Sequence, residues 1–277
     1  MNYQAFNVEI SDGVAHVIMN RPDSFNVMDG AYWTEIREIF ETLPDNPEVR
    51  VAVLSSTGKH YTAGMDLEFF GGVAAMPEAE PGRQREQVRR MILEFQESFN
   101  AIERCRVPVL AAVQGACIGG GVDMVCASDM RYCSKDAYFT IQEIKIGMTA
   151  DVGTLQRLPH LMPSSLVREL AFTGRKLRAD EALSSGLVSR IFEDHESLIA
   201  GVLEIAKEIA ARSPLAVVGS KEMLNYSRDH SVADGLNYIA TWNAAMVITQ
   251  DLGEGMRAQA ERRPPTYPNL LDKRTFS

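Results

Sequence analysis

The segment VPVLAAVQGACIGGGVDMVCAS, residues 107–128, constrains the fold of this chain more than any other. It is the longest apolar stretch, but Gln114, Asp123 and four glycines interrupt it, so it does not read as a membrane span. Residues 107–113 read instead as a strand buried on both faces of a sheet. GACIGGG reads as a tight bend, and GVDMVCAS as the opening of a helix. VRVAVLSS (49–56) is a second strand of the same kind, followed by a loop (57–70) that runs into a helix start. Buried strands alternating with helices predict an α/β fold.

The remaining segments fit that plan. Residues 6–19 predict a hairpin around Asp12-Gly13. Trp33, Ile36, Phe40 and Leu43 predict an amphipathic helix over 29–43, with Asp29 as its cap. Residues 71–85, rich in Gly, Pro, Ala and Glu, read as a surface loop, and helical spacing resumes over 86–104. Further helices are predicted at SSLVRELAFT, over 195–211, from near Pro214, and over about 231–250; the tail RRPPTYPNLLDKR reads as irregular. Mostly helix remains after Gly186. The predicted division is therefore a core over 1–190 and a helical region over 191–277.

Composition narrows the function classes. The 277 residues carry 28 Lys+Arg against 37 Asp+Glu, a formal charge of −9, which argues against a nucleic-acid partner. The four cysteines, at 105, 117, 126 and 133, form no C-x-x-C pair and read as reduced thiols. The five histidines are scattered without metal-ligand spacing, so no metal site is expected. G-x-G-x-x-G, P-loop and G-x-S-x-G patterns are all absent. No signal peptide, transit helix or S-K-L ending is visible, which predicts a bacterial-type cytoplasmic protein.

Two features carry chemistry. Glycines 119–121 stand at a helix start, either for packing or to let a ligand approach free peptide N–H groups. Ala63-Gly64-Met65-Asp66 is a second such place, again after a buried strand. Two strand ends presenting amides to one carbonyl oxygen make an oxyanion hole. The other feature is a set of carboxylates with mainly apolar neighbours: Asp123, Glu143 and Asp151. Such groups have raised pKa values and exchange protons near neutrality. Asp151 has a plainer reading, as N-cap of a helix beginning near Val152.

On NRPDSFNVM, TAGMDL and PVLAAVQGACIGGGVDMVCASDMRYCSKDAYF, the chain resembles the crotonase (enoyl-CoA hydratase/isomerase) superfamily over nearly its whole length. IQEIKIGMTADVGTLQRLP and the segment from Gly219 to Leu252 make it most similar to the dienoyl-CoA isomerase branch. The resemblance implies a spiral of ββα repeats and C-terminal helices that build a homotrimer, usually stacked into a hexamer. It implies an acyl-CoA thioester substrate and no metal or redox cofactor. The thioester oxygen is expected between the N–H groups of Met65 and Gly120, with Ala63, Gly64 and Asp66 beside it. Asp123, Glu143 and Asp151 match the acid trio of that branch, which implies conversion of a 3,5-dienoyl thioester to its 2,4-isomer. Glu143 is expected to act at C2 and Asp151 at C6, with the reverse assignment open. Asp123 is expected to tune or orient them. Arg21 and Lys221 are candidates for the coenzyme A phosphates, or else solvated charges. The 71–85 segment either covers the acyl tail or is an inert loop. A 2-enoyl-CoA hydratase, a Δ3-Δ2 isomerase and a non-catalytic acyl-CoA binder remain the rival readings.

Overall fold

The computed structural model describes residues 3–74 and 79–273. Asp12 and Gly13 both take positive φ (52° and 80°) and fold β1 (Phe6–Ser11) antiparallel onto β2 (Val14–Met19). Helix α1 (Gly30–Thr42) follows, and the Asp29 carboxylate accepts the Tyr32 N–H at 3.0 Å, the cap the sequence predicts. Then come β3 (Val51–Ser56), α2 (Leu67–Ala74), α3 (Pro81–Arg104), β4 (Val109–Val113) and β5 (Ala116–Ile118). Helix α4 (Gly120–Cys126) leads to β6 (Met130–Ser134) and β7 (Tyr138–Thr140). After α5 (Thr154–Arg157) and α6 (Ser164–Thr173) come β8 (Leu177–Arg178), α7 (Ala179–Ser184) and β9 (Ile191–Phe192). The chain closes with α8 (His195–Ala210), α9 (Pro214–Asp229), α10 (Val232–Met246) and α11 (Gln250–Glu261).

The strands form two sheets. One is six-stranded, in the order β1-β2-β3-β4-β6-β9, parallel except at the β1–β2 hairpin. The other is three-stranded, β5-β7-β8. Every residue of β3 and β4 is buried, because the six-stranded sheet is covered on both faces. Ala52, Leu54, Val109 and Ala111 face the main core with α1 and the inner end of α3. Val51, Val53, Leu110 and Ala112 face α8 through Leu198, Val202 and Ala206. All four cysteines are buried free thiols. No helix among the described residues is long and apolar enough to cross a membrane.

Three sequence expectations change here. Helix α8 is the second cover of the sheet and β9 is its edge strand, so the division at residue 190 falls within the core. No described residue after Ala210 belongs to either core cluster, and the outlying helical part begins with α9. The expected 71–85 loop is mostly helix: α2 runs to Ala74 and α3 starts at Pro81, with Pro in the first turn and Glu80 accepting the N–H groups of Gly82 and Arg83. Residues 75–78 of that segment lie outside the described residues. Helix α11, within and beyond the expected 231–250 helix, is a separate element, started by the Thr249 hydroxyl on the Leu252 N–H.

Position-specific glycines make the core testable. A Cβ on Gly121 would stand 2.5 Å from Thr62 Cγ2 and 3.2 Å from Cys117 Sγ. Thr62 cannot yield, because its hydroxyl donates to Asn26 O and accepts from the Gly64 N–H. Gly121→Ala should therefore destabilise the fold by ~1–3 kcal/mol through overpacking. Gly253→Ala, in α11 with nothing within 4 Å of its Cβ position, should stabilise by ~0.5–1 kcal/mol as a helix-interior Gly→Ala change. Denaturant midpoints moving in opposite directions would bear this out; two neutral substitutions would contradict it.

Candidate active site

Two chain segments meet at the ends of the central strands. Thr62 N–H donates to Ala116 O (3.0 Å) and Ile118 N–H to Thr62 O (3.2 Å), so residues 62–64 run against 116–119. Gly64 makes the approach feasible: with φ +87°, its Cβ would lie 2.7 Å from Ile118 O. Met28 N–H donates to Gly64 O and Asp66 N–H to Met28 O. That alternation turns the intervening Met65 N–H away from Met28. Gly120 is the first residue of α4, where a peptide N–H has no intrahelical acceptor. Met65 and Gly120 both line one cavity of about 560 Å³.

The three consecutive glycines have separate reasons. A Cβ at Gly119 (φ +54°) would stand 3.1 Å from Glu143 Oε1. At Gly120 it would meet Met28 Sδ at 2.8 Å, and at Gly121 it would meet Thr62. Packing accounts for all three glycines, and Gly119 and Gly120 also line the cavity. The Glu143 carboxylate is also fixed beside the Gly119–Gly120 peptide, at the amide end of the cavity.

The cavity is otherwise apolar. Leu67 and Phe70 of α2, Val88, Met91, Ile92 and Phe95 of α3, and Trp33 line it. Glu143 and Asp151 are the carboxylates on its wall. Both have pKa values raised by burial, Glu143 further by Asp151. One Glu143 oxygen, Oε2, is buried without a hydrogen-bond partner.

Asp123 stands apart from them, fully buried and not on the cavity wall. Its Oδ1 accepts the Thr154 N–H at 2.6 Å, while Oδ2 has no partner. Burial, then the charges of Glu143 and Asp151, push its pKa up to about 7. This bond also replaces the predicted cap: α5 begins after Gly153, and Asp123, from a different helix, satisfies the N–H that Asp151 was expected to take. Asp151 is left facing the cavity, its own carbonyl held by Gln96 Nε2 at 2.6 Å. Gln96 was not singled out in the sequence, since nothing local marks a helix-surface glutamine.

Ala63 and Gly64 line the cavity, whereas Asp66 caps α2 by accepting the Phe69 N–H at 2.7 Å. The two cations expected at coenzyme A are engaged elsewhere. Arg21 forks onto Asp29 (2.5 and 3.0 Å) and donates to Val27 O, bracing the start of α1. Lys221 is buried, with Nζ 2.7 Å from Asp129 Oδ2 and 3.1 Å from Val107 O, tying α9 to the base of β4. Neither is a solvated charge, and neither offers a free cation to the cavity. His16 of β2 pairs with Ser55 Oγ at 2.7 Å.

Residues 9–269 match the enoyl-CoA hydratase/isomerase family. The chain is 49% identical over 252 residues to the mitochondrial Δ(3,5)-Δ(2,4)-dienoyl-CoA isomerase of Homo sapiens, covering 90% of this chain and 77% of that one. It is 44% identical over 259 residues to the peroxisomal Δ(3,5)-Δ(2,4)-dienoyl-CoA isomerase of Arabidopsis thaliana, covering 93% of each. Among solved structures, the enoyl-CoA hydratase of Bacillus anthracis superimposes with a TM-score of 0.87 at 29% identity, over 96% of this chain and 99% of that one. The chain belongs to the enoyl-CoA hydratase/isomerase family and has the crotonase fold.

The same relatives overturn the cytoplasmic expectation, because isomerases this similar are named mitochondrial and peroxisomal. The physical reason is simple. A compartment address is read by a receptor or removed after import, so the folded domain does not encode it.

Two outcomes follow from this geometry. Asp123 ionises near 4 in the unfolded chain and near 7 when folded, so the unfolded state releases its proton first and stability falls between those values. Asp123→Asn keeps an acceptor for Thr154 and removes the titration. Its stability relative to wild type should rise from pH 4 to pH 7 and level off above; a pH-independent difference would contradict the raised pKa. Lys221→Met leaves Asp129 without its buried partner and should cost ~3 kcal/mol of stability. Its KM for an acyl-CoA should stay at the wild-type value, and a selective rise in KM would return Lys221 to substrate binding.

Proposed function

We propose that this chain converts 3,5-dienoyl-CoA to 2,4-dienoyl-CoA, using the cavity between the 62–66 and 116–120 segments. The single observation that carries the reading is that Glu143 and Asp151 line the same largely apolar cavity as Met65 and Gly120. The names of the human and Arabidopsis relatives support the same reaction.

The chemistry follows from placement. The thioester oxygen accepts from the N–H groups of Met65 and Gly120, which stabilise the negative charge that develops there. C2 is bonded to the thioester carbonyl carbon, so the acid nearest the amides acts on it. Glu143, packed against Gly119, is that acid. It takes a C2 proton as carboxylate, leaving a dienolate delocalised to C6. Asp151 gives its proton to C6, and both double bonds shift toward the thioester. The cycle ends with Glu143 protonated and Asp151 ionised, and a proton returns between them before the next turnover. Burial raises both pKa values, which favours retention of a proton on the pair. Substrate and product are isomers, so the reaction requires no redox group. Asp123 acts behind this pair, holding the segment after Asp151 through Thr154.

The apolar walls of α2 and α3 take the acyl tail. A hydratase would have to hold and activate a water molecule between its acids. Here aspartates at 123 and 151 favour direct proton transfer over that reading. The α9–α11 region is the oligomerisation segment. Leu224, Val232, Leu236 and Met256 stand well exposed there, as expected of helices that a trimer or dimer of trimers would cover.

The test uses 3,5-octadienoyl-CoA. Wild type should produce the near-ultraviolet absorbance of a 2,4-dienoyl thioester. Glu143→Gln and Asp151→Asn should each lower kcat by about 10²–10⁴-fold. In D₂O, Asp151→Asn should still exchange the C2 hydrogens with solvent, while Glu143→Gln should lose exchange and isomerisation together. Hydration of crotonyl-CoA without dienoyl turnover would make the chain a hydratase. Binding without either reaction would leave it a non-catalytic acyl-CoA binder.

A further inference from the structure

Asp151 belongs to no helix or strand. It lies in the link between the 3-10 turn at Glu143–Ile146 and α5, and Gly153 beyond it takes φ +133°. A carboxylate on such a link wanders unless the backbone under it is held. The holding groups form one stripe on α3. Gln96, Asn100 and Glu103 are spaced four and three residues apart, which places them on a single face. Gln96 Nε2 donates to Asp151 O at 2.6 Å. Asn100 Oδ1 and Glu103 accept from Arg157 at 2.6 Å and at 2.9 and 3.2 Å. The Arg157 guanidinium in turn lies against Gly153, with Nη1 2.0 Å from where a Cβ would stand. Arg228 of α9 pairs with the same Glu103. These side chains line a polar cavity of about 340 Å³ that shares Val152 with the acyl cavity. The other stripe of α3, through Val88, Ile92 and Phe95, lines the acyl cavity itself.

We infer that Gln96, together with the Asn100–Glu103–Arg157 cluster, positions Asp151 for proton transfer at C6. The inference rests on the isomerase reading above. Gln96 touches no reacting atom, so it is a positioning residue: it fixes the carbonyl of Asp151 and thereby the direction of its carboxyl. Arg157 closes the far side of the segment by packing on Gly153. Glu143, held separately against Gly119, is independent of this clamp.

That independence supplies the experiment. Gln96→Met keeps the length of the side chain and removes the donor. With 3,5-octadienoyl-CoA in D₂O, its isomerisation kcat should fall about 10–100-fold, as for a misplaced catalytic group. KM and the rate of C2 hydrogen exchange should stay within about twofold of wild type. Gln96→Glu supplies a second readout and a safeguard against misfolding of the Met variant. Protonated, the Glu can donate to Asp151 O; ionised, it cannot. Its activity relative to wild type should therefore recover as pH falls from 7 toward about 4.5, the ordinary range of a glutamate. If exchange and isomerisation drop together, or neither drops, or Gln96→Glu shows no relative pH recovery, the clamp is wrong. A wild type that does not isomerise the dienoyl thioester would remove the functional reading, and the clamp with it. A wild type that does, beside Gln96 variants without the split, overturns the clamp alone.

Discussion

The close approach of two backbones, 62–64 and 116–119, is the constraint on which the site depends. Each segment follows a buried parallel strand, so neither can shift without disturbing a sheet packed on both faces. Hydrogen bonds between Thr62, Ala116 and Ile118 set their spacing, and the missing side chain of Gly64 lets them reach it. Once they meet, Met65 and Gly120 line the same cavity. The peptide groups proposed to stabilise charge therefore follow strands packed on both faces. The acids proposed to move protons, Glu143 and Asp151, stand on the less regular link between β7 and α5. A rigid anion site opposite separately braced acids is a sound arrangement, since charge stabilisation depends on dipoles that do not reorganise.

Burial sorts the three acids. Glu143 and Asp151 reach the cavity, where substrate can exchange protons with them. Asp123 does not, and one of its oxygens is committed to Thr154. A fully buried carboxyl with an orphaned oxygen is costly when ionised. The fold accommodates it with a pKa near 7, which leaves it largely neutral in mildly acidic solution. A neutral Asp123 spares Glu143 and Asp151 a third negative charge.

What the sequence revealed follows the range of each interaction. The Asp12-Gly13 turn, the Asp29 cap and the buried strands at 51–56 and 109–113 rest on neighbouring residues, and they were legible. The acid trio was legible as a group through its family pattern, but the separate placement of its members was not. Asp151 reads locally as a cap because Asp precedes a helix. The N–H it would take goes to Asp123, 31 residues earlier in the chain. Arg21 and Lys221 read as available cations because their partners, Asp29 and Asp129, become partners only in the folded chain. Residues 71–85 read as a loop because Gly and Pro weaken the periodicity. Pro81 in fact occupies the first turn of α3, where proline is tolerated.

Helix α3 shows why the missing information concentrates around one element. Its outer turns are exposed and charged, so the segment reads as a surface helix. Further along, one stripe meets the acyl cavity and the adjacent stripe meets the link carrying Asp151. Phe95 and Gln96 are consecutive, so a substrate group pressing on the first acts on the same helical turn that holds Asp151 through the second. One turn of α3 thus borders both the cavity and the link that carries Asp151, a placement that neither residue's local sequence reveals.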